Sequence, residues 1–230
     1  MVYLISDIHG DYDLFLKLLK KINFCDNDKM IILGDMIEKG SKDIKLLKFI
    51  FGDKKDCFEC LLGNHEHLFL NYYNRLVALN KYTDEELVKH CNDYADITDG
   101  YTIEIIHELE NLPYFIEKED YICVHAGVPL NENDEVLDLT KATIEELVYD
   151  RTFKAPLILP QNSKCIVYGH TPTFYTGEDA SILAYKKDGC VGNKMSDYHK
   201  IQIDTGSYLT GVLGCWCVDT CMPHYVTRWE

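Results

Sequence analysis

The chain has 230 residues, 47% of them apolar and 27% charged, the make-up of a folded globular protein and not of a disordered segment. Its 38 acidic against 23 basic residues leave a formal net charge of −15, which argues against binding a nucleic-acid backbone, because neutralising phosphates takes clustered Lys and Arg. A small phosphorylated substrate is not excluded, since it responds to the local field of its site and not to the global charge.

The opening apolar piece Val2-Tyr3-Leu4-Ile5 is broken by Asp7, far short of an export signal or a membrane span. The expectation is a cytoplasmic protein without membrane contact, whose ten cysteines are reduced thiols. Cys57-Phe58-Glu59-Cys60 has C-x-x-C spacing, but no second pair follows at zinc-finger distance. It is read, with Cys215, Cys217 and Cys221, as core packing.

In chain order, Val2–Ser6 reads as a buried strand and Tyr12–Ile22 as a helix with Leu14, Leu18 and Ile22 on one face. Lys29–Leu33 is a second strand ending at Gly34, followed by a helix over Asp43–Phe51. Cys57–Leu62 is a third strand ending at Gly63, followed by a helix over Asn64–Leu79. Strand, loop and helix three times over predict a parallel β-α-β series. Tyr82–Leu112 reads as a small helical insertion, with Thr83 as N-cap before Asp84-Glu85-Glu86. Tyr114–Ile116 and Tyr121–His125 resemble a strand pair, and Thr143–Tyr149 a short helix capped by Thr143 with Glu146. The remainder is mostly strand: Cys165–Tyr168, Ile182–Tyr185, Ile201–Ile203, Val212–Val218 and Tyr225–Arg228, with a hairpin turn at Lys187-Asp188-Gly189. The architecture expected is one mixed α/β domain, a two-sheet sandwich with outer helices.

Almost every side chain able to bind a divalent cation follows one of these apolar runs, beside a glycine. Asp7 and His9 alternate with Ile8, so the two point the same way while Ile8 faces the core. Asp35 follows the second strand, where a carboxylate can give one oxygen to each of two cations. Asn64 offers an amide oxygen, and His125 and His170 offer imidazole nitrogens. This mixed set suits two divalent ions, Mn before Fe or Zn, and not calcium's all-oxygen preference. Two such ions about 3.5–4 Å apart can hold a phosphoryl group and acidify a water. His65, beside Asn64, reads as a general acid, with Glu38 as the carboxylate that orients it. Lys39 and Arg151 are the cations for phosphate oxygens, with Asn64 as a further phosphate contact, and Arg is the better forked donor.

Taken singly these signals are weak. A lone Asp-x-His after a strand is usually a turn with a satisfied histidine, and Glu66 reads as a first-turn acid of its helix. His67, His90, His107, His199 and His224 carry no such context. The joint placement of the pieces carries the reading.

Their order resembles that of the phosphoprotein phosphatase family of metallophosphoesterases. The family pattern is Gly-Asp-x-His-Gly, Gly-Asp-x-x-Asp-Arg-Gly, Gly-Asn-His-Glu, His-Ala-Gly and Gly-His-Thr. Here the pieces stand as Ser6-Asp7-Ile8-His9-Gly10, Gly34-Asp35-Met36-Ile37-Glu38-Lys39-Gly40, Gly63-Asn64-His65-Glu66, His125-Ala126-Gly127 and Gly169-His170-Thr171. Short length and Ile203-Asp204-Thr205-Gly206 look most like the compact bacterial and bacteriophage members. The resemblance implies a metallophosphoesterase-like mixed β-sandwich flanked by helices, a single calcineurin-like domain over 1–230 with an insertion near 82–112. It implies Asp7, His9 and Asp35 on one metal, Asp35, Asn64, His125 and His170 on the other, His65 as general acid, and Arg151 as a phosphate-binding arginine. The family's Asp-Arg is Glu38-Lys39 here, one methylene longer and one fork fewer, and its opening Gly is Ser6.

The leading functional expectation is a serine/threonine protein phosphatase acting on a phosphorylated protein or small phosphoester. The alternative is hydrolysis of symmetrical dinucleoside polyphosphates such as diadenosine tetraphosphate. A third reading, of a different class, is a phosphoprotein-binding pseudo-enzyme, suggested by Glu38-Lys39 and opposed by retention of His65 and all six ligands.

Overall fold

Alternating burial along short apolar runs is what stacks this chain into layers. A computed structural model describes residues 1–52, 54–95, 100–153, 158–176 and 179–230. Within β1 (Val2–Ile5), Tyr3 and Ile5 face one way and Leu4 the other, and in β2 (Lys29–Ile32) Met30 and Ile32 oppose Ile31. Both faces are therefore covered. Helices α1 (Tyr12–Lys21), α2 (Asp43–Phe51), α3 (Asn64–Ala78), α4 (Asp84–Tyr94) and α5 (Ile103–Glu110) pack on the Tyr3 face. The Leu4 face meets a second sheet.

The first sheet has the order β10-β9-β1-β2-β3, with β3 being Phe58–Cys60, β9 Val212–Cys217 and β10 Met222–Thr227. Strands β1, β2 and β3 run parallel, and β9 and β10 are antiparallel additions. The second sheet has the order β4-β5-β6-β8-β7, from β4 (Phe115–Glu117), β5 (Tyr121–Val124), β6 (Cys165–Tyr168), β7 (Leu183–Lys186) and β8 (Tyr198–Gln202). There β5, β6 and β8 are parallel, and β4 and β7 are antiparallel edges. The core between the sheets is Leu4, Ile31, Leu61, Cys123, Val167 and Ile201 among others. This is the mixed two-sheet sandwich with outer helices that the sequence predicts. In such a layout the carboxyl ends of parallel strands gather at one edge, where loops can form a site.

Local signals explain most element ends. Asp11 caps α1 by accepting from the Leu14 amide at 3.1 Å. Thr83 and Glu86 form the expected reciprocal cap of α4, with bonds of 3.3 and 2.8 Å. The predicted insertion over 82–112 is two helices, α4 and α5, with residues 96–99 outside the described ones. Thr143 and Glu146 form the same cap, but the segment they open is a wide π-turn, Glu145–Tyr149. Its Leu147 carbonyl accepts from the Ala126 amide at 2.8 Å, which ties the turn to the end of β5 and leads the chain to Arg151.

Several predicted boundaries move. Strand β8 begins at Tyr198, three residues before the expected Ile201, because His199 and Lys200 are buried polar residues that hide the strand from an apolar reading. Lys200 lies 5.2 Å from the ring centroids of Phe153 and Tyr185 and 6.0 Å from that of Tyr168, and burial lowers its pKa to about 8. Strand β10 begins at Met222 and tolerates Pro223 because it is an edge. The turn at Lys187-Asp188-Gly189 forms, with Cys190 donating to the Lys187 carbonyl at 3.2 Å, but it opens a longer loop held by the Asp197 carboxylate on the Gly192 and Asn193 amides. All ten cysteines are free thiols, and Cys57 and Cys60 are buried. Among the described residues no helix is long and apolar enough to cross a membrane.

Candidate active site

The carboxyl ends of β1, β2, β3, β5 and β6 bring the candidate residues to one edge of the sandwich. The first two loops are zipped together: Asp7 donates to the Gly34 carbonyl at 3.2 Å, His9 to Asp35 at 2.9 Å and Gly10 to Met36 at 2.7 Å. Asp7, His9, Asp35, Glu38, Lys39 and His170 all have positive φ, between 50° and 65°. Each such residue costs on the order of 1–3 kcal/mol, and the cost concentrates where side chains are aimed at a common point. The loops also touch closely. A Cβ on Gly63 would lie 2.3 Å from the Asp35 amide nitrogen and carboxylate, so only glycine lets the β2 and β3 ends meet.

Asp35 is the centre of the cluster. Its Oδ2 lies 3.7 Å from His9 Nε2 and 3.8 Å from His65 Nε2, and its Oδ1 3.5 Å from His125 Nε2. Among the described residues, the groups able to hold a metal are His9, Asp35 and His65, and Asp35, His125 and His170, with Asp35 common to both. Asp7 Oδ1 lies 3.8 Å from His9 Nε2, which adds it to the first group.

The histidine tautomers follow from their outer partners. His9 Nδ1 lies 3.1 Å from the Ile37 carbonyl and His125 Nδ1 2.7 Å from the Leu33 carbonyl. A carbonyl only accepts, so each ring carries its proton on Nδ1 and presents a bare lone pair at Nε2. His125 Nε2 then faces Asn64 Oδ1 at 3.1 Å and Asp35 Oδ1 at 3.5 Å, lone pair against lone pair. His170 Nδ1 meets the same Asn64 oxygen at 2.8 Å. Such a convergence of acceptors fits a cation. At His9 a cationic group is present: the Lys39 ammonium lies 2.9 Å from Nε2.

Electrostatics point the same way. Burial, then the charges of Asp7 and Glu66, push Asp35 well above the usual carboxylate range. Burial works on Asp7 as well, but His125, His9 and the Ser6 hydroxyl hold it below its ordinary value. Burial lowers His9 to about 4, against the pull of Asp7, and lowers His170 to about 3, helped by His125. Crowded carboxylates and imidazoles kept neutral form a donor set that divalent cations match.

Next to this cluster, His65 Nδ1 lies 2.5 Å from Glu38 Oε2. Glu38 reaches His65 from a left-handed backbone whose amide donates to Asp43 Oδ2 at 2.9 Å. Burial pulls the His65 pKa down, but the Glu38 bond and the Asp35 charge raise it more, so the ring holds its proton more tightly than usual. Arg151 is exposed and lines a cavity of about 330 Å³ together with Asp7, His9, Lys39 and His170. Among the described residues no carboxylate pairs with it, so its guanidinium is available to an anion. The structure thus gathers every residue singled out in the sequence at this one edge.

Three further residues belong to the site. Glu66 is fully buried and does more than start its helix: its carboxylate accepts from the amides of Asp35, Met36, Ile37 and Gly63. Asp204 is buried in the wall of the same cavity, bonded to the Gly206 amide at 2.7 Å, and burial followed by Asp7 raises its pKa well above the ordinary range. Asp43 holds the Glu38 loop. The signal for Glu66 and Asp204 was their place in Gly63-Asn64-His65-Glu66 and Ile203-Asp204-Thr205-Gly206; Asp43 had none.

The family model described as calcineurin-like phosphoesterase matches residues 1–191. The protein from Buchnera aphidicola subsp. Acyrthosiphon pisum (strain 5A) named "Bis(5'-nucleosyl)-tetraphosphatase, symmetrical" is 27% identical over 154 residues, 66% of this chain and 53% of that protein. The protein of the same name from Wigglesworthia glossinidia brevipalpis is 34% identical over 130 residues, 55% of this chain and 44% of that protein. This chain therefore spans about half the length of the curated relatives it matches. A crystal structure provisionally assigned as a diadenosine tetraphosphatase covers 100% of this chain and 94% of its own at a TM-score of 0.66 and 15% identity, a likeness of fold alone. These relatives overturn the expectation of a serine/threonine protein phosphatase with a phosphorylated-protein partner. The motifs behind that expectation serve phosphoryl chemistry in general, and the surfaces that choose a substrate lie outside them.

Proposed function

Because the chain belongs to the calcineurin-like phosphoesterase family, whose members are metal-dependent hydrolases, we propose that it cleaves symmetrical dinucleoside polyphosphates at the centre of the phosphate chain. The observation that carries the substrate is the shared name of its sequence relatives. Asp7, His9 and Asp35 would hold one divalent cation, and Asp35, Asn64, His125 and His170 a second, with Mn as the first choice. Bound there, the pair supplies Lewis acidity toward phosphoryl oxygens and lowers the pKa of water.

The protein's own groups do the rest. Arg151 and Lys39, both on the cavity wall, clamp the non-bridging oxygens of the phosphate under attack, and the Asn64 amide helps to orient them. Water forms a bond to one inner phosphorus, and the bridging bond from that phosphorus to oxygen breaks. His65, kept charged by Glu38, gives its Nε2 proton to the departing oxygen. Two nucleoside diphosphates result.

Diadenosine tetraphosphate with Mn²⁺, followed by chromatography of the nucleotides, tests the proposal. ADP as sole product is expected. Either ATP with AMP, or no turnover, would overturn it.

A further inference from the structure

Lys39 is shared by two cavities. One is the 330 Å³ cavity of the candidate site; the other, of about 680 Å³, runs from Glu38 and Lys39 along the start of α2 to the end of α4. Resting on the hydrolysis proposed above, we infer that these are the two halves of one substrate groove, each half taking one nucleoside of a dinucleoside polyphosphate, with the phosphate chain crossing at Lys39.

The charge distribution supports this. In a protein of net charge −15, the second cavity is lined by Lys39, Lys42, Lys45 and Lys48. Lys45 and Lys48 are three apart on α2 and so share a face, roughly 5 Å apart along the axis. Lys42 is paired with Asp13, whereas Lys45 and Lys48 are exposed and make no ion pair among the described residues. Two carboxylates also line the groove, and both are already engaged: Glu38 with His65, and Asp43 as acceptor of the Glu38 amide at 2.9 Å. A row of free ammonium groups leading away from the reaction centre suits a chain of phosphates longer than the one being cleaved.

Each half also ends in exposed aromatic surface. Tyr175 and Tyr208 line the first cavity and are 64% and 45% exposed. Tyr94 lines the second, is 47% exposed, and is steadied by stacking on Tyr72 at 4.3 Å between centroids. Exposed tyrosines beside cations provide the stacking platforms that nucleobases use without regard to base identity. A phosphomonoester would need only the first cavity.

The test compares diadenosine tetraphosphate with p-nitrophenyl phosphate in the Mn²⁺-loaded protein. The readout is the ratio of their KM values in the parent, in Lys45→Glu/Lys48→Glu, in Tyr94→Ala and in Tyr94→Phe. The double lysine variant and Tyr94→Ala should raise that ratio by about tenfold, the loss of one stacked base or of two phosphate contacts. Tyr94→Phe, which keeps the ring, should return the parental ratio. Lys21→Glu/Lys141→Glu, outside either cavity, controls for the same change in overall charge and should not move it. An unchanged ratio in both the lysine variant and Tyr94→Ala overturns the second subsite while leaving the hydrolysis intact. Failure of the parent to cleave diadenosine tetraphosphate overturns the hydrolysis, and the subsite with it.

Discussion

Replacing Glu66 by Gln should damage both the stability of the fold and its hold on metal. Glu66 Oε2 accepts from the amides of Asp35 at 2.8 Å and Gly63 at 2.9 Å, and Oε1 from Met36 at 2.7 Å and Ile37 at 3.1 Å. Gln has nearly the same volume, so no cavity opens. One of its two heads is an NH₂, however, and two of the four buried amides would then face a donor. Each amide left unpaired costs about 1–3 kcal/mol, and the other two bonds weaken from charge-assisted to neutral. The expected loss is on the order of 3–6 kcal/mol, a large share of the roughly 5–15 kcal/mol available to a domain. The urea midpoint should fall by about 1–3 M without a change of slope. Because the amides concerned include that of Asp35, Mn²⁺ affinity measured by calorimetry should fall as well. A midpoint within about 0.3 M of the parent, together with unaltered metal affinity, would refute the view that this carboxylate organises the β2 loop.

Asp43, raised to about 6 by burial, binds its proton more tightly folded than unfolded, so its contribution to stability is present below about pH 4 and lost as pH rises through 6. Asp43→Asn should remove that loss, worth on the order of 2–3 kcal/mol, and urea midpoints from pH 4 to 8 that fall as steeply in the variant as in the parent would contradict it. His65→Asn should slow an alkyl phosphomonoester by roughly 10²–10⁴ but p-nitrophenyl phosphate far less, since the alkoxide needs a proton to leave and the nitrophenolate does not; equal losses on both point to a structural role. Lys39→Arg should lower KM for the phosphoester by an amount worth about 0.5–2 kcal/mol through a forked contact, and Lys39→Ala should raise it; a Lys39→Ala variant with parental kinetics places the phosphate on Arg151 and the metals alone. Chelation should abolish turnover and Mn²⁺ restore it, while Asp35→Asn should bind fewer than two ions by metal analysis, a result that full loading at both sites would sink.

Several of these tests turn on residues whose role is local in sequence and distant in space. Glu66 sits in the first turn of α3, where an acid is ordinary, yet three of its four amide partners lie on the β2 loop 29 to 31 residues away. Glu38 and His65 are 27 residues apart and meet at 2.5 Å.

What the sequence alone determined was the set of strand ends and the chemistry delivered at each. Apolar runs closed by glycine mark buried strands because burial and backbone permissiveness are recorded residue by residue, and Asp7, His9, Asp35, Asn64, His65, His125 and His170 were legible from that pattern, while Arg151 was legible only as a forked cation and through the family resemblance. Where local polarity contradicted burial, as at His199-Lys200 in β8, the strand was misplaced, since its aromatic surroundings come from three other segments. Tertiary structure alone decided which loops touch. The stacking of two sheets turns five strand ends toward one point, gives Asp35 a histidine on each oxygen, buries Asp204 against Asp7, and sets Lys45, Lys48 and Tyr94 along a second cavity. Periodicity reports which side of an element is buried, but not which remote segment buries it; that depends on the packing of whole layers, and both metal grouping and substrate surface are properties of that packing.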